Sequence, residues 1–167
     1  MSPTEVMLWL KVLLVAGLAA YLSVFVLNNL TDPKTNSAAV GRMLSMRELR
    51  ADRELGNGVV WRAVESQAVH RLAYYAVILI QAGAAVLLWW AAVLLASAGF
   101  GDFQPDATSH AVALADLGLL VFVALWLGVV VIGTWFSYWV KMGPVQQGHM
   151  TLLLLGVGSV IVVNLGI

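Results

Sequence analysis

Residues 72–98 read LAYYAVILIQAGAAVLLWWAAVLLASA, and no Asp, Glu, Lys or Arg interrupts them. About 20 apolar residues in a helix cross roughly 30 Å of hydrocarbon, so this run is long enough to span a bilayer with a tilt. Backbone polar groups in lipid must be satisfied internally, which makes it a helix and not a strand. Its apolar character is continuous, where a transmembrane barrel would alternate.

Three further runs have the same character. Met7–Leu27 carries one charge, Lys11, near its start; Ala111–Gly133 carries Asp116 near its start and can be continued toward Val140; Met150–Gly166 is uncharged. The expected fold is therefore all-α: a polytopic membrane protein whose residues 1–167 form one domain of four transmembrane helices. Spans of about 7–27, 72–98, 111–133 and 150–166 leave a hydrophilic, helical loop over 28–71.

Composition agrees. Hydrophobic residues make up 61% of the chain and charged residues 11%, against about 45–50% and 25% in soluble domains. A soluble globule, a disordered chain and a basic nucleic-acid binder are excluded. With no cysteine, disulfides, thiolate metal sites, iron–sulfur clusters and cysteine nucleophiles are excluded as well. Met1–Val6 has no basic residue ahead of the first apolar run, so that run reads as an anchor and not as a cleaved signal.

Nine basic and nine acidic residues cancel, but twelve of these charges lie between Asp32 and Arg71. Four spans put both termini and the loop Gly99–His110 on one side, and the loops Asn28–Arg71 and Thr134–His149 on the other. Lys34, Arg42, Arg47, Arg50, Arg53, Arg62, Arg71 and Lys141 all belong to the second side, and only Lys11 to the first. The positive-inside rule then places the long loop in the cytoplasm.

The loop itself carries helix signals. Asn36-Ser37 ahead of AAVGRML reads as a capped helix, and Ser45 with Glu48 fits a capping box at the start of another. Arg50 and Glu54 lie one turn apart, and Gly56-Asn57-Gly58 is a stop signal. Val59–Val69 puts Trp61, Val64 and Ala68 on one side, with Arg62 among the polar positions, as in a helix lying in the membrane interface. Two arrangements fit: a solvated loop with some helix, or an amphipathic hairpin docked on the bundle.

Asn28-Asn29-Leu30-Thr31-Asp32, then Asn36, Leu44-Ser45-Met46 and Trp61-Arg62-Ala63, resemble a bacterial family of small integral membrane proteins known as domain of unknown function 2165. Gly133-Thr134-Trp135-Phe136-Ser137-Tyr138-Trp139 is similar to its Trp-rich end of the third span. The resemblance implies four spans and a bacterial inner-membrane location, and it supplies no activity, ligand or catalytic residue. Arg47–Arg53 stands where the family has a shorter, Thr-containing linker.

Several residues are candidate sites. Lys11 and Asp116 enter the membrane from the same face, either as an ion pair, with a snorkelling Lys11, or as a proton or ion relay. His70 and His149 begin the second and fourth spans on the opposite face; they read as ordinary helix-entrance histidines, or as axial ligands of a haem b or a metal. Asn28, Asn29, Thr31 and Asp32 form a polar motif whose default role is capping. Gln81 is expected to bond to a neighbouring helix, and Trp9, Trp89, Trp90, Trp135, Tyr138, Trp139, Tyr74 and Tyr75 to form aromatic belts.

No Walker loop, dinucleotide fingerprint, zincin motif, nucleophile elbow or repeat occurs, and no catalytic residue is assigned. The expected function is that of a structural or accessory subunit. Its partners would be the lipid bilayer and other integral membrane proteins, or further copies of itself, with no nucleic acid and no required cofactor. The alternatives are a small transporter or channel built on Lys11 and Asp116, and a haem-binding redox subunit built on His70 and His149.

Overall fold

The computed structural model describes residues 2–52, 54–100 and 105–166. Arg53 and the middle of the Gly99–His110 loop lie outside them. Every regular element described is helical: α1 (Pro3–Thr31), α2 (Pro33–Leu44), α3 (Arg47–Arg50), α4 (Gln67–Phe100), α5 (Pro105–Trp135) and α6 (Gly143–Asn164), with 3-10 turns at Val60–Arg62 and Tyr138–Val140. Helices α1, α4, α5 and α6 are each long and apolar enough to cross a membrane. This is an all-α polytopic membrane protein. The helices outrun the apolar runs that announce them; α4 has 34 residues, about 50 Å at 1.5 Å per residue.

Helix α1 starts on a capping box that the sequence reading placed elsewhere. The Glu5 amide donates to Ser2 Oγ at 3.2 Å and the Ser2 amide to the Glu5 carboxylate at 2.7 Å. Its buried residues Leu8, Lys11, Val15, Leu18, Ala19 and Leu22 recur at helical spacing, and they pack on α4, which presents Ala84, Ala85, Leu88, Ala91, Ala92 and Leu95. Helix α4 also meets α5, where Ala111, Ala115 and Leu119 lie in the same core. Lipid offers no hydrophobic drive for helix association, so small residues that let backbones approach matter most. A Cβ at Gly118 would lie 2.8 Å from Leu88, and one at Gly156 would lie 2.8 Å from Phe122.

The spans run in the order α1, α4, α5, α6, and α6 meets α1 again over a short stretch only. Of α6, just Gly156, Ser159 and Val163 are buried.

The loop docks on the bundle. Leu44, Met46, Leu49 and Phe136 form a second core, with Val59, Val60, Val64, Ala73 and Val140 packed around it. Outside the lipid the hydrophobic effect applies in full, at about 1.5–3 kcal/mol for each such buried side chain. The Val64 amide donates to the Leu44 carbonyl at 2.9 Å, tying the end of α2 to the stretch that leads into α4.

Local signals in the loop resolve differently from their reading. Helix α2 begins at Pro33, ahead of Asn36, because proline suits the first helical position. Ser45 and Glu48 make no capping box: the Ser45 amide is spent on the Gly41 carbonyl as α2 ends, and its backbone is helical where a cap is extended. Met46, left-handed at φ 50°, occupies the cap position of α3, and Glu48 pairs with Arg42 at 3.6 Å. Arg50 pairs with Glu65 and not with Glu54. Val59–Val69 is no continuous interfacial helix, since Ala63 is extended (ψ 132°) after the 3-10 turn and α4 starts at Gln67. Helix α5 stops at Trp135, and Ser137, left-handed at φ 51°, turns the chain before Val140.

Candidate functional site

The polar motif at the end of α1 is divided between two roles. Thr31 Oγ1 donates to the Leu27 carbonyl at 2.9 Å, and Asp32 accepts from the Thr35 hydroxyl at 2.6 Å. The Asn28 carbonyl accepts the Asp32 amide at 2.9 Å. These contacts are local to the junction of α1 and α2, and the Asp32 side chain makes no cap bond to α2. Asn29 instead turns inward and is buried. Its Oδ1 accepts from Asn36 Nδ2 at 2.6 Å, its Nδ2 donates to Gln81 Oε1 at 3.4 Å, and its carbonyl accepts the Tyr74 hydroxyl at 2.6 Å. One asparagine therefore ties α1 to α2 and to α4. Tyr74 is buried and does not belong to an aromatic belt, while Tyr75 beside it is exposed.

At the other end of the membrane, Lys11 is 2% exposed, and its Nζ donates to the Leu165 carbonyl at 2.8 Å. The C-terminal end of a helix carries partial negative charge, which favours a cation there. Asp116 is near enough to act on Lys11 through its charge, but its Oδ1 accepts from Asn164 Nδ2 at 2.7 Å. Lys11 and Asp116 make no direct ion pair among the described residues; they share the end of α6.

The histidines have separate neighbours. His70 Nε2 lies 2.7 Å from the Val64 carbonyl; a carbonyl only accepts, so this nitrogen carries the proton. A metal or haem iron at Nε2 would have to displace that bond. His149 is stacked on Trp126 at 5.4 Å and on Tyr138 at 6.0 Å between ring centroids. No group of three or more His, Asp or Glu side chains that could hold a metal ion occurs among the described residues.

The loop meets the end of α5 through Arg62. Its guanidinium carbon lies 4.3 Å from the Trp135 ring centroid and 5.5 Å from that of Trp61. Its Nη1 donates to the Trp135 carbonyl at 3.1 Å. Nearby, Lys141 donates to Asp52 at 2.5 Å, and this contact with two backbone amides holds the Asp52 carboxyl well down, to about 2. Burial raises the Tyr138 hydroxyl above its ordinary range.

Asn36, through Asn29, and Arg62, through Trp135, add polar ties between the loop and the spans. Over residues 7–166 the chain matches the family model described as predicted small integral membrane protein (DUF2165). The chain belongs to this family. No curated protein and no solved structure matches it. As a DUF2165 member it is a small integral membrane protein, and the matched region takes in all four spans and the docked loop.

Asn164 and Trp126 are not singled out by the sequence, and Tyr74 only as a belt residue: the role of each is defined by a partner on another helix. Lys141–Asp52 likewise joins positions that no periodicity relates.

Proposed function

We propose that the protein is an accessory subunit that associates with other integral membrane proteins in the bacterial inner membrane, its long loop facing the cytoplasm. The observation that carries this reading is the state of α6. It buries only Gly156, Ser159 and Val163 within the chain, which leaves most of its surface to lipid or to a partner. The polar groups of the interior support the same reading, since Asn29, Gln81 and Lys11 are bonded to one another or to backbone and not turned to a shared path. A hollow of about 430 Å³ beside Arg47, Arg50 and Glu65, and a smaller one of about 20 Å³ beside Met46, Phe136 and Lys141, lie on the loop side. The basic residues of the long loop support its cytoplasmic placement.

Purification of the tagged full chain in a mild detergent tests the assignment. The expected result is a membrane-protein companion in stoichiometric amount, lost in a folded Gly158→Trp variant that alters the outer face of α6. A monodisperse monomer that carries a solute flux in liposomes would overturn it and favour a transporter built on Lys11 and Asp116. A Soret band in the purified protein would favour the haem reading, which needs His70 and His149.

A further inference from the structure

At the membrane end of the docked loop, Arg62 is a cation whose neighbours are aromatic and not acidic. Its guanidinium lies over Trp135 and beside Trp61, and those two indoles meet edge-on at 6.2 Å and 87°. Three acids of the same loop are taken by other bases: Glu48 by Arg42, Glu65 by Arg50 and Asp52 by Lys141. A guanidinium has five N–H donors, and among the described residues the one hydrogen bond of Arg62 goes to the Trp135 carbonyl. Its Nε is buried without an acceptor.

The flanking rings are open to the surroundings. Trp61 is 71% exposed, Trp135 51% and Trp139 55%. All three stand where α5 ends or where the chain approaches α4, and aromatic residues at the ends of spans belong to the headgroup region of a bilayer. Indoles settle there with the ring in the acyl boundary and the N–H toward polar oxygen. Trp61 spends its N–H on the Gly58 carbonyl, whereas no bond occupies those of Trp135 and Trp139 among the described residues. A planar guanidinium fork matches a phosphodiester better than a lysine does. The same side of the protein carries eight basic residues against five acidic ones, a net excess of positive charge that favours lipids of net negative charge.

We propose that Arg62, with Trp61 and Trp135, forms a headgroup site for one anionic phospholipid of the surrounding bilayer. The phosphodiester takes the terminal N–H groups of Arg62, and not its buried Nε, and the indoles hold the glycerol backbone and upper acyl chains. The site also fixes the loop: a lipid bound there bridges the 3-10 turn of Val60–Arg62 and the end of α5.

Native mass spectrometry of the full chain, released from micelles of mixed phosphatidylglycerol and phosphatidylcholine, tests this. Wild type is expected to retain phosphatidylglycerol over phosphatidylcholine by about fivefold, the worth of one well-placed basic residue at a membrane surface. Arg62→Gln should abolish that preference, and Arg47→Gln, at an exposed base without aromatic neighbours, should leave it intact. Trp61→Ala removes a side chain that is mostly exposed and leaves the loop core alone, so it provides a second, folded test and should also weaken retention. Equal retention of the two lipids by wild type would overturn the proposal. So would Arg62→Gln and Trp61→Ala both behaving like Arg47→Gln, and so would displacement of the lipid by excess inorganic phosphate, which marks a site for a soluble anion.

Discussion

Lys11 and Leu165 lie 154 positions apart, yet the ammonium of one donates to the carbonyl of the other at 2.8 Å. The contact closes the row of spans: α6 packs along α5 and returns to α1 only over a short stretch. A charge inside the membrane is costly, and here the end of α6 receives it, with Asn164 holding Asp116 one residue away.

Replacing Lys11 with Met keeps an apolar stem of similar length and removes the bond. A hydrogen bond to a charged group is worth about 1.5–3 kcal/mol, so the unfolding free energy in detergent should fall by that amount. Leu10→Met, on the exposed side of α1, should leave it unchanged. Equal behaviour of the two variants would show that Lys11 does not hold α6.

The Asn29 carbonyl belongs to the last turn of α1, where helix carbonyls lack an intrahelical donor, and the Tyr74 hydroxyl fills that place. Tyr74→Phe should therefore cost about 0.5–1.5 kcal/mol. Tyr75→Phe, at an exposed ring, should stay within about 0.5 kcal/mol of wild type. The comparison needs only denaturant melts of three proteins.

Two glycines separated by one residue on α6 should respond in opposite directions. A Cβ at Gly156 would lie 2.8 Å from Phe122 and 2.9 Å from Val123, while one at Gly158 meets nothing within 4 Å. Gly156→Ala should destabilise by about 1–3 kcal/mol through overpacking. Gly158→Ala should be neutral or stabilise by up to about 1 kcal/mol, because alanine is the better helix former. A matching loss in both would place α6 differently on α5.

The Asp52–Lys141 contact should respond to acid. The carboxyl is held at about 2, below its ordinary 3.8. Its contribution is thus fully present above about pH 4 and is lost as pH falls through about 2. Limited proteolysis of the loop should stay constant from neutral pH down to about 4 and rise below it. Asp52→Asn should show the faster cleavage at every pH.

The four spans were legible in the chain because length and hydropathy alone decide whether a segment enters a bilayer, and neither depends on a partner. The side of each basic residue follows from the number of spans. The expectation that Gln81 bonds to another helix is met by Asn29, since a buried amide in lipid has no water to turn to. Local capping signals were less reliable. Ser45 and Glu48 satisfy the capping pattern, yet α2 runs on to Leu44 and takes Ser45 as its end, while Ser2 and Glu5 form the box. A pattern of four residues cannot know how far the preceding helix extends.

By itself, then, the sequence determined an all-α membrane protein with a charged, helical loop on one face. The tertiary structure alone decided which polar residues share a neighbourhood: Lys11 with the end of α6, Asn29 with Asn36, Tyr74 and Gln81, and Arg62 between two tryptophans. The physical reason is one of range. Crossing a bilayer is a property of about twenty consecutive residues. The rotation of each helix about its axis, which sets every one of those contacts, is fixed by close packing between helices far apart in the chain.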